Sequence, residues 1–215
     1  MKIGVMQPYF YPYLGYFKLL SKIDLFVIYD CVQFPRRGWV HRNKLTSQNG
    51  ALNWITLPLL KAPQAATQIN DLAFHPNFEK DMALRLGEFP VWNLINPSER
   101  QELLDPTSSV VNYLEKHLLN TIQKLGISTP IVRSSDLQLD PLLKGQSRIL
   151  EIVKHFKGTE YINPSGGSAL YDIEVFKDEG VNLTIMKPYE GSRVSMLERL
   201  IQESRGSLIQ EIFDN

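Results

Sequence analysis

Basic side chains are concentrated in one short segment of the sequence. Residues 31–44, CVQFPRRGWVHRNK, contain five Arg, Lys or His residues and no carboxylate. Guanidinium groups beside planar aromatic side chains are typical of sites that bind phosphates and nucleotides. The segment therefore predicts a phosphate-binding site, and the alternative is a solvated basic loop with Trp39 packed in the core. The predicted phosphate contacts are Arg36, Arg37, Arg42 and Asn43.

An aromatic turn near the amino terminus forms a second group of candidates. Residues 6–17, MQPYFYPYLGYF, contain four tyrosines within eight positions. A buried phenol needs a hydrogen-bond partner, so this density favours a rim that faces a ligand. Free N–H groups at the start of the helix that follows would attract an anion. The alternative is an aromatic plug that packs the turn onto a sheet. The predicted ligand contacts are Tyr9, Tyr13, Gly15 and Tyr16.

Three polar residues beside these segments are candidates for catalysis. Gln7 opens the aromatic turn, and Asp30, directly before the basic segment, could orient a hydroxyl group, an amine or Mg²⁺. His41 is the third, and it is also the spatial partner that Cys31, the single cysteine, would need to act as a nucleophile. The four histidines have no i, i+4 spacing, and no G-x-S-x-G motif occurs. A zinc site or a serine-hydrolase site is therefore not predicted.

Predicted strands place these candidates at one edge of a sheet. Residues 2–6 and 24–30 are apolar runs typical of buried strands, and residues 17–23 have the spacing of a helix. A right-handed crossover would make the two strands parallel, so that Gln7 and Asp30 follow their carboxyl ends on the same side. We therefore expect the aromatic turn and the basic segment to meet at one anion-receptive site.

The rest of the chain continues the alternation of strands and helices. Apolar spacing and turn residues predict further strands at 53–58, 69–72, 130–133, 160–163 and 181–186. Helices are predicted at 77–88, 110–125 and 145–155, with His117 packed on the second of them and Gly126 at its end. The pattern predicts a three-layer α/β fold with a mainly parallel sheet. We expect one domain over residues 1–215, with residues 61–106 as a cap or insertion.

Two later turns add candidate ligand contacts. Gly166 and Gly167 form a paired-glycine turn after a predicted strand, where backbone N–H groups could hold a phosphate or a ribose. Ser192, Arg193 and Ser195 precede or begin a predicted helix and could contact a phosphate. Ser195 also has capping-box spacing with Glu198, so capping of the helix is the favoured alternative.

Composition limits the classes of function. The chain has 215 residues, 43% of them hydrophobic, and its 23 basic and 23 acidic side chains give a net charge of zero. A neutral chain has no general attraction to nucleic acid or to an anionic membrane, so neither is an expected partner. The amino terminus lacks the features of a signal peptide, and no segment has about 18 uninterrupted apolar residues. We expect a soluble, cytoplasmic protein without membrane insertion.

The motifs resemble those of a known family. MQPYFYPYLGYF, then YDxVQFxxRGWxxRN, then WITLP at residues 54–58, are similar to the bacterial WbqC-like family. The resemblance is dense over residues 3–60 and looser through 134–135, 166–172 and 180–181. It implies a role among the proteins of surface polysaccharide and O-antigen biosynthesis.

A fainter likeness connects the chain to the nucleotidylyltransferase superfamily, which implies a Rossmann-like sheet. The His-x-Gly-His turn of that superfamily corresponds here to residues 13–16, YLGY, so both of its histidines are absent. The phosphate-stabilising role of those histidines therefore has no counterpart in this turn.

Together these features predict an enzyme that uses a nucleotide or nucleotide-sugar to transfer an acyl, aminoacyl or related group to a sugar. The cofactor stays open between ATP and a nucleotide-sugar, with Mg²⁺, and the expected partner is a phosphorylated small molecule or nucleotide-sugar. A homodimer stays open as well. The alternatives are a non-catalytic protein that binds a nucleotide-sugar or glycan beside a transferase, and a scaffold with an inactive pocket.

Overall fold

The computed structural model of the chain describes residues 1–61, 67–106 and 108–214. In this part of the chain the strands are β1 (Lys2–Met6), β2 (Leu25–Ile28), β3 (Arg42–Thr46), β4 (Leu52–Thr56), β5 (Ile131–Arg133), β6 (Glu160–Asn163) and β7 (Asn182–Ile185). The helices are α1 (Leu14–Leu20), α2 (Phe78–Gly87), α3 (Pro97–Leu104), α4 (Val110–Lys124), α5 (Gly145–His155), α6 (Ile173–Asp178), α7 (Met196–Gln202) and α8 (Arg205–Phe213). None of these helices has the length and apolar character needed to cross a membrane.

Five strands form a parallel sheet in the order β5-β2-β1-β6-β7. The chain builds the sheet outward from β1 through β2 to β5, and then returns to the other side of β1 for β6 and β7. The direction of winding therefore changes between β1 and β6, which is where open α/β sheets bind ligands. The predicted α/β fold with a mainly parallel sheet is confirmed.

Helices cover both faces of this sheet. Strand β2 is buried at all four positions because its alternate side chains enter different cores. Phe26 and Ile28 pack with α1, α4 and α8, whereas Leu25 and Val27 pack with α5 and α6. Each of these two apolar clusters fills the space between the sheet and the helices on one of its faces. Helices, sheet and helices are therefore the three layers that the sequence predicted.

A β-hairpin of β3 and β4 lies outside the main sheet and pairs Lys44 with Trp54. It shares a third apolar cluster with α2, α3 and the first half of α4. The strand predicted at 53–58 is confirmed as β4. No strand was predicted at β3, so placing Arg42 and Asn43 in the loop after β2 is wrong. Strand β3 pairs with β4 and not with the main sheet.

Residues 61–106, the predicted cap, contribute α2 and α3 to the third cluster, and the cap assignment itself stays a prediction. The strand predicted at 69–72 is wrong. A single 3₁₀ turn, Ile69–Asp71, occupies that position, and the Asp71 carboxylate accepts a hydrogen bond from the N–H of Gln68 at 3.2 Å. This local capping favours a turn over an extended strand.

Helix α4 confirms its prediction closely. Ser109 caps its start by accepting from the N–H of Asn112 at 3.1 Å. Gly126, after its end, has a φ of +69°, a left-handed conformation that glycine adopts without strain. The predicted packing of His117 is also confirmed, because its side chain is only 2% exposed.

Candidate functional site

Two other segments of the chain bind the aromatic turn on its inner side. The Asn43 side-chain Nδ2 donates to the carbonyl oxygens of Phe10 at 3.0 Å and of Tyr11 at 2.5 Å. The Ser195 hydroxyl donates to the same Tyr11 oxygen at 2.8 Å. Asn43 and Ser195 are completely buried. Both were predicted to contact a ligand, and in the structure they hold the turn in position.

The hairpin and α7 are also joined directly. The N–H of Ser195 donates to the Lys44 carbonyl oxygen at 2.9 Å, and the Glu198 carboxylate accepts from the N–H of Thr46 at 2.7 Å. The capping role of Ser195 is confirmed, since its hydroxyl accepts from the N–H of Leu197 at 3.3 Å. Glu198 does not complete a capping box, because its carboxylate is directed to the hairpin. These contacts form what we call the buried junction, whose polar side chains are Asn43, Ser195 and Glu198.

The tyrosines of the turn divide between the interior and the surface. Tyr16 is 3% exposed, and its hydroxyl donates to the backbone oxygen of Gln7 at 2.9 Å. Tyr9 packs on Tyr16 with ring centroids 5.3 Å apart, and burial, followed by the nearby Tyr13, raises the pKa of Tyr9 to about 12. Tyr16 therefore belongs to the core, as in the aromatic-plug alternative. Tyr13 lies on the outer side of the turn.

Gly15 allows a close approach within the protein. A Cβ atom at this position would lie 2.9 Å from the Cβ of Tyr189. The first turn of α1 can pack on Tyr189 only because Gly15 lacks a side chain. The groups that the structure places against this glycine are thus Tyr189, after β7, and the ring of Tyr13, whose Cε2 would lie 2.5 Å from such a Cβ.

Four aromatic rings lie in a row on the outer side of the molecule. They come from the aromatic turn, from the basic segment and the hairpin, and from the residues between β7 and α7. Tyr13 contacts Tyr189 with ring centroids 5.6 Å apart and Trp39 with centroids 5.9 Å apart. Trp39 contacts Trp54, on β4, at 5.0 Å. Trp54 is 39% exposed, and Trp39 is half-buried between its two neighbours. The row connects the aromatic turn to the basic segment.

Three cations lie over these rings. The guanidinium carbon of Arg42 is 4.2 Å from the Trp54 ring centroid, and the Lys44 Nζ is 5.2 Å from it. The guanidinium carbon of Arg193 lies 4.6 Å from the centroid of Tyr13. Such contacts hold a positive charge at the surface with modest stabilisation. We call this set the aromatic–cation surface, which consists of Tyr13, Trp39, Trp54, Tyr189, Arg42, Lys44 and Arg193.

The three predicted phosphate-binding arginines lie in different environments. Arg42 donates from Nε to the Gly38 carbonyl oxygen at 3.0 Å and from Nη2 to that of Arg37 at 2.5 Å. It therefore fixes the loop before β3 in addition to covering Trp54. Arg36 and Arg37 are exposed in that loop.

His41 is half-buried beside the ring of Phe34, at a centroid distance of 4.9 Å. Burial, followed by the charge of Arg42, lowers the pKa of His41 to about 4. Its Nδ1 is buried, and among the described residues it has no hydrogen-bond partner. At neutral pH this imidazole is uncharged and is a weak base.

Asp30 connects the carboxyl ends of β2 and β5. Its Oδ1 accepts from the Ser134 hydroxyl at 2.9 Å and from the Ser135 N–H at 3.0 Å, and its Oδ2 accepts from the Ser135 hydroxyl at 2.6 Å. The Cys31 Sγ lies 3.0 Å from the Ser134 oxygen. Because Ser134 donates to Asp30, the thiol is the donor in that contact. Within the described residues, no three His, Cys, Asp or Glu side chains are arranged to hold a metal ion.

The sheet opens between β1 and β6. Strand β1 pairs with β2 as far as Met6, whereas its registered pairs with β6 end at Ile3 and Tyr161. Gln7 and the Gly166–Gly167 turn follow the separated strand ends. A Cβ atom on Gly167 would lie 2.3 Å from the side-chain nitrogen of Asn163, so this glycine is required for packing, while Gly166 is exposed with open space around it.

The sequence patterns did not identify several residues that form these sites. Trp54 and Tyr189 were not singled out, although Trp54 is opposite Lys44 on one face of the hairpin. For Trp54 the available signal was its place at the start of the WITLP motif. Ser192, a predicted phosphate contact, is exposed, and its hydroxyl accepts from the N–H of Val194 at 3.3 Å.

Comparisons with known proteins support the resemblance seen in the motifs. The sequence model of the WbqC-like protein family matches residues 7–193. Uncharacterized protein Rv1507c of Mycobacterium tuberculosis (strain ATCC 25618 / H37Rv) is 28% identical over 199 residues, covering 89% of this chain and 84% of that protein. No solved structure matches the chain. The likeness to nucleotidylyltransferases is supported by none of these matches and stays a prediction.

Proposed function

This chain belongs to the WbqC-like protein family, and from that membership we propose that it is an enzyme of surface-polysaccharide assembly. In this proposal it uses a nucleotide or nucleotide-sugar to transfer an acyl, aminoacyl or related group to a sugar. The setting among O-antigen proteins comes from the family resemblance. The class of substrate comes from the side chains on the surface of the molecule.

The aromatic–cation surface is the observation that carries the proposal. Its rings offer flat apolar faces and edges for a sugar or a base, and Lys44 and Arg193 offer positive charge for phosphate oxygens. Residues 31–70 contain five Lys or Arg residues and no Asp or Glu, although the whole chain is neutral. A phosphorylated sugar matches both properties of this surface.

The carboxyl edge of the sheet is where the proposal places the transfer. Gln7 and Asp30 follow the neighbouring strands β1 and β2 at this edge. Since three hydrogen bonds are already donated to Asp30, its role in the proposal is to hold the loop of Ser134 and Ser135 in position. Because Asp30 is also only 1% exposed, Mg²⁺ has little access to this carboxylate.

A second function, a non-catalytic binding partner of a transferase, is favoured by one specific observation. Two of the predicted catalytic residues are poorly placed to act, because Asp30 is only 1% exposed and accepts three hydrogen bonds, and the pKa of His41 is lowered to about 4. A binding protein would use the aromatic–cation surface and would need neither group.

Binding is tested by melting the full chain with ATP and with a panel of UDP-, GDP-, CDP- and dTDP-sugars, with and without Mg²⁺. A ligand at one hundred times its Kd should stabilise the fold by about 2.7 kcal/mol. Trp54→Ala and Arg193→Ala should abolish this shift. Trp92→Ala is the matched control, because Trp92 packs under Arg100 at 4.8 Å outside the surface. If none of these compounds shifts the melting temperature, the proposal is wrong.

Catalysis and binding are separated by a second measurement. In phosphorus NMR, ATP mixed with a carboxylic or amino acid and an acceptor sugar should be cleaved, to AMP and pyrophosphate or to ADP and phosphate, if the protein activates and transfers an acyl group. A nucleotide-sugar mixed with an acceptor sugar should release its nucleotide only if the sugar itself is the group transferred. Stable binding with no change of the phosphorus signals over many hours would favour the binding-partner function.

A further inference from the structure

A cavity of about 240 Å³ lies between α3, α4 and α7, on the inner side of the aromatic turn. Leucine and isoleucine side chains from α3, α7 and residues 94–95 form much of its wall. Its volume is slightly below the usual range of small-molecule sites, so it suits only a compact metabolite. The cavity shares no residue with the aromatic–cation surface. Its polar lining consists of Tyr11, Glu99, Glu102, Asn120, Thr121 and Lys124.

The charges in the lining do not cancel. The two oxygens of Glu99 accept from the Lys124 Nζ at 2.6 Å and from the Asn96 side chain at 2.8 Å. Glu102 accepts from the Asn120 Nδ2 at 3.2 Å, and within the described residues no cation forms a salt bridge with it. One negative charge is therefore left over, and a bound cation would be favoured at Glu102.

Tyr11 is held in an unusual backbone conformation beside this cavity. Its φ is +43°, in the left-handed region that residues other than glycine rarely adopt. The hydrogen bonds from Asn43 and Ser195 to its carbonyl oxygen stabilise that conformation. Residues in such conformations are often found at binding sites. Here the conformation places the Tyr11 side chain in the cavity lining.

The Tyr11 hydroxyl is hydrogen-bonded to His117. The hydroxyl lies 2.9 Å from the Nδ1 of His117. Burial, followed by the charge of Lys116, lowers the pKa of His117 to about 3, so the imidazole is neutral. Its tautomer decides whether Nδ1 accepts the phenol proton or donates its own to the phenolic oxygen. The phenolic oxygen keeps lone pairs that can accept a hydrogen bond. Glu102 and Glu99, after burial itself, raise the pKa of Tyr11, which keeps it protonated.

We propose that this cavity binds a small molecule that carries a primary ammonium group on an apolar body. Three acceptors serve the three N–H bonds of the ammonium group: the Glu102 carboxylate, the side-chain amide oxygen of Asn120 and the Tyr11 phenolic oxygen. The apolar body contacts the leucine and isoleucine side chains. A ligand carboxylate is disfavoured because Lys124 is already paired with Glu99. This site is separate from the proposed sugar-binding function and does not depend on it.

The experiment compares three ligands with one body and three head groups. The full chain is titrated at pH 7 with cyclohexylamine, cyclohexanol and cyclohexanecarboxylate, and binding is followed by calorimetry and by chemical shifts. We expect saturable binding of the amine alone. Glu102→Gln should weaken it about tenfold or more, as expected for loss of a charge-assisted hydrogen bond. Tyr11→Phe should weaken it by a smaller factor.

Control variants separate this result from other effects. Glu174→Gln changes a carboxylate that is 72% exposed on α6 and should bind the amine as the wild type does. Trp54→Ala should also leave amine binding unchanged, so that failure of the sugar-binding proposal stays distinguishable. Equal binding of amine and alcohol, no saturable amine binding, or full amine affinity in a folded Glu102→Gln protein would overturn the proposal.

Discussion

The buried junction and the aromatic–cation surface are built from the same three segments but differ in what their polar groups do. On β3, Asn43 points inward and is bonded to the aromatic turn, whereas Lys44 lies outward over Trp54. Arg193, which precedes α7, is exposed, whereas Ser195, which caps the start of α7, is buried. Inside, every polar side chain named in the junction has a partner in the chain. On the aromatic–cation surface, the cationic side chains lie over aromatic rings and remain in contact with solvent.

This difference shows how one short motif can specify both a fold and a binding surface. A buried polar group that loses its partner costs more than a hydrogen bond contributes, so the junction allows few substitutions. Removing an exposed cation changes the free energy of unfolding only slightly. Variants on the two sides should therefore separate stability from binding.

The largest effect is expected for Asn43→Ala. The variant leaves the carbonyl oxygens of Phe10 and Tyr11 short of a donor in the core and should lower the free energy of unfolding by about 3 kcal/mol. Lys44→Ala, one residue away on the outer face, should change it by about 0.5 kcal/mol or less. Urea unfolding measures both variants. Equal stability of the two would show that the junction does not hold the turn.

The second prediction concerns the pH dependence of stability. The pKa of His117 is about 3 in the folded protein and about 6.5 in an unfolded chain. The unfolded state therefore binds a proton that the folded state excludes, and stability is lost as pH falls below 6.5. The loss should reach about 2 kcal/mol at pH 5. His41, with a pKa of about 4, acts in the same direction.

Urea unfolding at pH 7, 6 and 5 tests this dependence above the range in which carboxylates titrate. In His117→Phe the loss of stability over this interval should become smaller. If wild type and variant show the same loss, His117 is not the group responsible.

Ser195→Ala should have an intermediate effect. It removes the hydrogen bond to the Tyr11 oxygen and the cap of α7, and we expect a loss of about 1.5 kcal/mol in the free energy of unfolding. Ser192→Ala, in the same segment but exposed, is the control and should stay close to wild type. A loss as large in Ser192→Ala would place the important contacts outside the junction.

The smallest effect on stability is expected for Arg193→Ala. An exposed cation over a ring contributes about 0.5 kcal/mol, so the melting temperature should barely change. The same variant should lose binding of the nucleotide-sugar that stabilises the wild type. A large loss of stability together with intact binding would reverse the roles assigned to the two sides.

Local pattern was sufficient for much of the fold. Helix α5 and strand β6 have the predicted bounds, and the parallel pairing of β1 with β2 follows from their short helical connection. Strand β3 was the main failure. It contacts the aromatic turn and α7, which are distant from it in sequence, and no local signal records those partners.

The sequence identified the candidate residues by their chemical type, but it did not show which of them face the core and which face the surface. Tyr13 and Tyr16 have the same chemistry and nearly the same place in the motif, and one is at the surface while the other is in the core. Asn43 and Arg42 are neighbours with opposite directions, because successive side chains of a strand point to opposite faces. Which face is buried depends on what packs against the strand.

The sequence by itself determined the alternation of strands and helices, the family, and the concentration of positive charge in a neutral chain. These follow from composition and from contacts between residues near one another in the chain. Only the tertiary structure decided that Trp54 and Tyr189 join Tyr13 at the surface, and that Tyr11 meets His117 beside a cavity. Tyr11 and His117 are 106 positions apart, and Tyr13 and Tyr189 are 176 positions apart, so these contacts form only when separate segments pack together.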